Sequence, residues 1–222
     1  MAERIVISWS GGKDSAFALY KILKEGEYIV DSLLTTITEG YNRISIHGVR
    51  EDLLEEQAES LGIPLRKMYI PQNSSDADYQ KIMIEKLREI KREGINTIMF
   101  GDIFLEDVRL YREKLIHQTD MNAVFPLWGY QSEYLINDFI SLGFKTVTTC
   151  IDTEVLTDQF LGQTIDEDFL REMPKNIDHC GENGEFHTFT YAGPIFHERI
   201  QIKTGEKVDR GRFHFCELHT VS

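Results

Sequence analysis

Hydrophobic positions in the first hundred residues follow two alternating rhythms. Apolar runs rich in β-branched residues at 4–9, 28–36, 65–70 and 97–100 read as strands. Between them apolar residues recur every three or four positions. Leu53, Leu54, Ala58 and Leu61 share one face of a helix over 49–61. Tyr79, Ile82, Met83, Leu87 and Ile90 do the same over 76–93, with charges opposite. A third helical pattern covers 14–25. Gly62 with Pro64 ends one helix and Gly94 another, while Ser74, Ser75 or Asp76 can cap the 76–93 helix. Strands separated by single helices imply crossovers, and hence an α/β fold whose parallel sheet carries helices on both faces.

The text changes beyond about residue 120. A helix is predicted over 107–119, and Phe125-Pro126-Leu127-Trp128-Gly129 reads as a strand end or turn. A short amphipathic helix over 133–142 starts behind Ser132 as its cap. A Thr/Val strand follows at 145–151, then a short helix at 166–173. From Cys180 onward the pattern is β: 185–191, then 199–203 and 207–218 joined through Thr204-Gly205-Glu206 as a hairpin or meander. This places a soft boundary that divides the chain into 1–120 and a smaller α+β part, 121–222. No repeat, linker or low-complexity segment separates them, so the two parts are expected to pack closely. The hairpin edge near the C-terminus could pair with a second copy to give a homodimer.

The 222 residues are enough for a substantial core. A net charge of −13, from 24 basic and 37 acidic side chains, argues against nucleic acid as a partner. No run approaches the ~20 apolar residues of a membrane span. No basic segment leads into an apolar one at the N-terminus, so the expectation is a cytoplasmic protein with no membrane contact. Cys150, Cys180 and Cys216 are odd in number and lack a CxxC pair, which fits neither a disulfide framework nor a standard zinc site. His179-Cys180 with His187 could bind a metal in principle, but buried thiols are the simpler reading.

Candidate chemistry concentrates in Ser10-Gly11-Gly12-Lys13-Asp14-Ser15, between the first strand and the first helix. Gly11 and Gly12 permit backbone angles and close approach that side chains forbid. Successive N–H groups and the helix N-terminus then favour an anion. Ser10 and Ser15 add hydroxyls and Lys13 a charge. The spacing is not that of a Walker A loop.

Gly101-Asp102 ends the fourth strand, where a carboxylate can meet Mg²⁺ or a ribose hydroxyl or simply cap a helix. Arg109 and Arg112 lie one turn apart on the next helix. Either could face phosphate or a substrate carboxylate, although for Arg112 a solvated basic face is the plainer expectation. His47-Gly48 after the second strand could touch phosphate. In Asp178–Thr188, Asn183-Gly184 signals a tight turn with Glu182 and Glu185 on either side, and His187 shares a strand face with Glu185. Two carboxylates and an imidazole can orient a nucleophile or take a proton. On composition alone, a hairpin tip with solvated charges is the plainer alternative.

The Ser10–Ser15 loop resembles the SGGxDS signature of the PP-loop ATP pyrophosphatases. Further pieces resemble the diphthine–ammonia ligase branch of that group: His47-Gly48-Val49-Arg50, Gly101-Asp102-Ile103 with Arg109, Pro126-Leu127-Trp128, Gly181–Phe186 and Gly193-Pro194-Ile195-Phe196. The resemblance spans nearly the whole chain. It implies a Rossmann-like nucleotide domain with a smaller C-terminal domain that helps form the substrate site.

It also implies an ATP-dependent, AMP-forming amidation. A substrate carboxylate attacks the α-phosphate, pyrophosphate leaves, and ammonia displaces AMP. Ser10, Gly11, Gly12 and Ser15 would cradle phosphates and Lys13 neutralise charge. Asp14 and Asp102 would meet the Mg²⁺ of Mg-ATP. Leu34, Thr35, His47, Gly101, Asp102 and Arg109 would contribute to the nucleotide site, and Glu182, Glu185 and His187 would orient the substrate or amine. Family members that make diphthamide read Glu-Gly-Gly-Glu-(Phe/Tyr)-Glu at the last segment, whereas this chain reads Glu182-Asn183-Gly184-Glu185-Phe186-His187. That variant resembles a bacterial sister group, some of it linked to cobalamin salvage, so the acceptor carboxylate is expected to differ. Two other readings remain: a tRNA-modifying thiolase, disfavoured by scattered cysteines and acidic charge, and a regulatory module that binds ATP without turnover.

Overall fold

Five strands form one parallel sheet in the computed structural model, which describes residues 2–40, 44 and 48–221. They are β1 (Glu3–Ser8), β2 (Tyr28–Thr38), β3 (Leu65–Ile70), β4 (Thr97–Met99) and β5 (Asn122–Val124), arranged β3-β2-β1-β4-β5. The order reverses between β1 and β4, the place where doubly wound sheets open a ligand crevice beyond their strand ends. Helices α1 (Lys13–Glu25), α2 (Glu51–Leu61), α3 (Asp76–Arg92) and α4 (Glu106–His117) make the crossovers. Ser75 caps α3 in a reciprocal capping box with Asp78.

Side-chain alternation sorts the core into two layers. Val6, Leu34 and Ile98 point to one face, where Met83, Leu87 and Ile90 of α3 and Leu115 and Ile116 of α4 cover them. Ile5, Ile7, Leu33 and Met99 point to the other, beneath α1 and α2. The second layer continues without a break into the rest of the chain: α5 (Ser132–Ser141), β6 (Lys145–Asp152), α6 (Glu167–Glu172), β7 (Phe186–Ala192), β8 (Ile202–Arg210) and β9 (Phe213–Thr220). Phe17 of α1 meets Phe139 and Phe144 edge-on, and those two rings stack 4.5 Å apart. The later strands form an antiparallel sheet, β7-β6-β9-β8.

Four expectations need correction. Asn122–Val124 pairs with β4 as a fifth parallel strand, so the first sheet reaches past residue 120. Ser132 is the first helical residue of α5 and Gln131 its cap. The hairpin turn lies at Gly211-Arg212, with Gly211 at φ +76°, whereas Thr204-Gly205-Glu206 lies inside β8, where the pairing register slips. Asn183-Gly184 is not a hairpin tip, because no strand precedes it: the segment before β7 is a run of turns.

The open edge of β7 is closed by the first half. The Thr190 N–H donates to Gly11 O at 2.9 Å, and the Lys13 N–H donates to Thr188 Oγ1 at 3.0 Å. Gln57 of α2, fully buried, ties the joint together. Its Nε2 donates to Gly11 O (2.9 Å) and Thr190 O (2.6 Å), and its Oε1 accepts from Trp9 Nε1 (2.9 Å). Gly11 sits at φ +77°, and a Cβ there would lie 2.7 Å from Gln57 Oε1. Replacing Gln57 with Leu strands the Trp9 N–H and removes a donor from two carbonyls. Unsatisfied buried polar groups cost about 1–3 kcal/mol each, so urea denaturation of Gln57→Leu should show a loss of about 2–4 kcal/mol. An unchanged midpoint would contradict this account of the joint.

Candidate active site

A cavity of about 490 Å³ opens at the β1/β4 switch point. That size lies within the ~300–1,000 Å³ typical of small-molecule sites. Ser8, Trp9, Ser10, Lys13, Asp14 and Ser15 form its floor. Phe100, Gly101 and Asp102 leave β4 beside them, and Gly181, Glu182, Phe186, His187 and Thr188 enter from the second half.

Within the loop, the Gly12 N–H donates to Ser10 Oγ at 3.3 Å. Ser15 Oγ lies 3.2 Å from Ser10 Oγ and donates to Gly12 O at 3.0 Å. Gly11 and Gly12 act through their backbone, packed toward Gln57 and Thr188, and do not line the cavity. Gly101 allows the end of β4 to approach the start of α1: a Cβ there would stand 3.1–3.2 Å from the Asp14 carbonyl group and the Ser15 nitrogen.

Lys13 is 2% exposed. Its Nζ contacts both Asp14 oxygens, at 2.8 and 2.7 Å, and lies 5.5 Å from the Phe186 ring centroid. Burial works against both charges of this pair. For Lys13 the attraction of Asp14, with Cys180 and Glu182 nearby, outweighs it and the pKa is raised, whereas for Asp14 burial outweighs the pull of Lys13 and its carboxyl pKa is raised as well.

Glu182 behaves differently. Burial pushes its pKa up to about 7; the Ile103 N–H bonded to Oε1 at 2.8 Å counters this, while the nearby Asp14 and Asp102 charges add to it. Asp178 holds this carboxylate's turn in place by accepting from the Cys180 and Glu182 N–H groups at 3.1 and 2.9 Å.

Several site expectations fall elsewhere. Glu185 is buried but braces the turn: its Oε1 accepts from the Asp178 N–H (3.1 Å) and Asn183 Nδ2 (3.0 Å), and it does not line the cavity. Nor are these charges solvated as at an open hairpin tip. Strand alternation places Thr36, not Thr35, beside Leu34 on the cavity wall. Arg109 pairs with Glu113 at 2.7 Å and packs between Phe125 and Trp128, outside the lining. Arg112 instead enters the cavity, 2.7 Å from Asp102 and over the Phe100 ring, rather than forming a solvated face. The reason is helical spacing: Leu105, Val108 and Arg112 form the stripe that faces the cavity. His47 lies outside the described residues.

Among the described residues no group of three His, Cys, Asp or Glu side chains could hold a metal ion. All three cysteines are free and buried, and burial raises their pKa values. No helix among the described residues is long and apolar enough to cross a membrane.

An SGGKDS loop at the switch point of a parallel sheet ordered 3-2-1-4-5 defines the class, a PP-loop ATP pyrophosphatase. The chain belongs to the diphthamide synthase family. The family's N-terminal domain model matches residues 3–123 and its C-terminal domain model residues 131–222. The chain is similar to a diphthine–ammonia ligase of Homo sapiens, 26% identical over 97% of this chain and 92% of that one. One of Danio rerio is 25% identical over 98% and 96%. One of Schizosaccharomyces pombe is 28% identical over 94% of this chain but 38% of its own length. A solved U34-tRNA thiolase of Methanococcus maripaludis aligns over 64% of this chain and 57% of its own, at 16% identity and a TM-score of 0.39, too loose a likeness to bear on function.

The raised Glu182 pKa has a consequence for stability. Between about pH 4.5, its ordinary value, and about pH 7, the folded protein keeps a proton that the unfolded chain has released. Stability should therefore fall as pH rises through that window. Denaturation midpoints at pH 5 and pH 8 should diverge in the wild type and converge in Glu182→Gln. Equal divergence in both would show that Glu182 is not buried as described.

Proposed function

We propose that this protein is an ATP-dependent, AMP-forming ligase that adenylates a substrate carboxylate and transfers the acyl group to ammonia. The observation that carries the reading is that the phosphate-type loop and the Glu182 segment of the second half line one cavity. Membership of a family whose relatives are named diphthine–ammonia ligases supports it.

In this reading the α1 N-terminus and the Ser10 and Ser15 hydroxyls bind the β- and γ-phosphates. Lys13 offsets the charge that builds as the α–β bond breaks, and Leu34, Thr36 and Phe100 enclose the nucleoside. Asp102 reaches a ribose hydroxyl or stays bound to Arg112. Mg²⁺ usually binds through one or two carboxylates plus phosphates and water, and Asp14 and Asp102 fit that limited role. When bound it would neutralise phosphate charge. Glu182, poised near neutrality, takes a proton from the attacking amine, and His187 contacts the acceptor. Catalysis is otherwise positioning and electrostatic stabilisation.

Diphthine itself is a less suitable acceptor here than for the named relatives, because His187, which lines the cavity, alters charge and hydrogen-bond sense where the family pattern has a glutamate. A thiolase reading is weaker, because buried thiols with raised pKa values form little thiolate. We also place the enzyme in the cytoplasm.

The test is nucleotide product analysis with Mg-ATP, ammonium and a panel of carboxylates. AMP and pyrophosphate are expected with one of them; ADP and phosphate would overturn the assignment. Lys13→Ala or Ser15→Ala should lower kcat about 10²-fold or more, as loss of a preorganised electrostatic group does. With Glu182 as base, kcat should climb as pH rises through about 7 and then level off. Glu182→Gln should remove that climb.

A further inference from the structure

The cavity neutralises its own cations. Lys13 and Arg112 are the lysine and arginine in its lining, and each is paired with a lining carboxylate, Asp14 and Asp102 respectively. The first pair matters most, because Lys13 sits in the loop itself. Its ammonium has three N–H donors. Two contacts go to the two Asp14 oxygens, at 2.8 and 2.7 Å, the forked geometry that two phosphate oxygens would also present. Lys13 has little freedom to serve a second anion elsewhere, since it is 2% exposed and lies against the Phe186 ring. Asp14 follows it directly on the first turn of α1 and is partly exposed toward the cavity.

We propose that Asp14 is a built-in stand-in for pyrophosphate: its carboxylate holds the Lys13 ammonium in the free enzyme, yields it to the nucleotide, and recaptures it to expel the pyrophosphate product. This deepens the phosphate-loop assignment above and rests on it. An incoming polyphosphate must break the Lys13–Asp14 pair, and Asp14 then faces the polyphosphate as a like charge. The same repulsion weakens pyrophosphate binding after α–β cleavage and speeds its departure. Asp14 is thus a positioning residue for Lys13 and a competitor of the product, in addition to any contact it makes with a phosphate-bound cation.

Calorimetric titration with pyrophosphate in a metal-free, EDTA-containing buffer separates these roles. Asp14→Asn keeps the size of the side chain and removes its charge. It should bind metal-free pyrophosphate about tenfold or more tightly than the wild type, the scale expected for losing one charged competitor. Asp14→Ala should tighten binding in the same direction, which guards against an effect peculiar to Asn. A merely structural role for Asp14 would weaken binding, and a role confined to holding a cation would leave metal-free binding unchanged. Either result, in a wild type that does bind pyrophosphate, overturns the proposal while leaving the phosphate-loop reading intact. Absence of pyrophosphate binding in the wild type and both variants overturns the proposal, and absence that persists when Mg²⁺ replaces EDTA overturns the loop reading with it.

Discussion

The structure depends on the closure of one sheet edge. β7 ends the antiparallel sheet, and the outer edge of such a strand presents backbone donors and acceptors that must find partners. Here the partners are the phosphate-type loop and Gln57. Gly11 O accepts from the Thr190 N–H, the Lys13 N–H donates to Thr188, and Gln57 spans both chains. The joint serves packing and function at once. It satisfies the strand, holds the loop in the positive-φ conformation that Gly11 allows, and draws the Glu182 turn over the same cavity. A ligand in this cavity would therefore touch residues of both halves.

The electrostatics follow from that geometry. An acidic protein of net charge −13 repels free nucleotide, so attraction must be local. The cations that line the cavity are the buried Lys13 and the half-buried Arg112, and each is held in place by a neighbouring carboxylate. Glu182 forms no ion pair among the described residues, although Lys13 acts on it from nearby. Burial leaves its carboxyl near neutrality, where proton transfer is easiest, whereas Lys13 remains firmly protonated. Two ionisable groups lining one cavity thus come to differ in protonation through their surroundings alone.

Much of this was legible in the sequence, for a physical reason. The strands and helices of the first half follow strong two- and 3.6-residue periods with glycine stops, and β3 runs over Leu65–Ile70 as predicted. What periodicity could not reach was short or relational. β5 has three residues, too few for a pattern, and the hairpin turn was drawn to Gly205 because a bulge glycine and a turn glycine look alike in sequence. Choosing between Arg109 and Arg112 required knowing which stripe of α4 faces inward. One signal was readable: Gln57 interrupts the apolar face made by Leu53, Leu54, Ala58 and Leu61, and a polar residue in such a stripe needs buried partners. Glu182 and Glu185 were indistinguishable by composition. Only the turn held by Asp178 sends one into the cavity and the other into the bracing network.

The most direct test of the central claim, that ATP is opened between its α and β phosphates at the Ser10–Ser15 loop, is isotope exchange of labelled pyrophosphate into ATP. It should be measured with the acceptor carboxylate present and ammonia absent. The account predicts label in ATP that depends on the acceptor and disappears in Lys13→Ala. Label entering ATP from inorganic phosphate instead, or exchange that persists in Lys13→Ala, would contradict it.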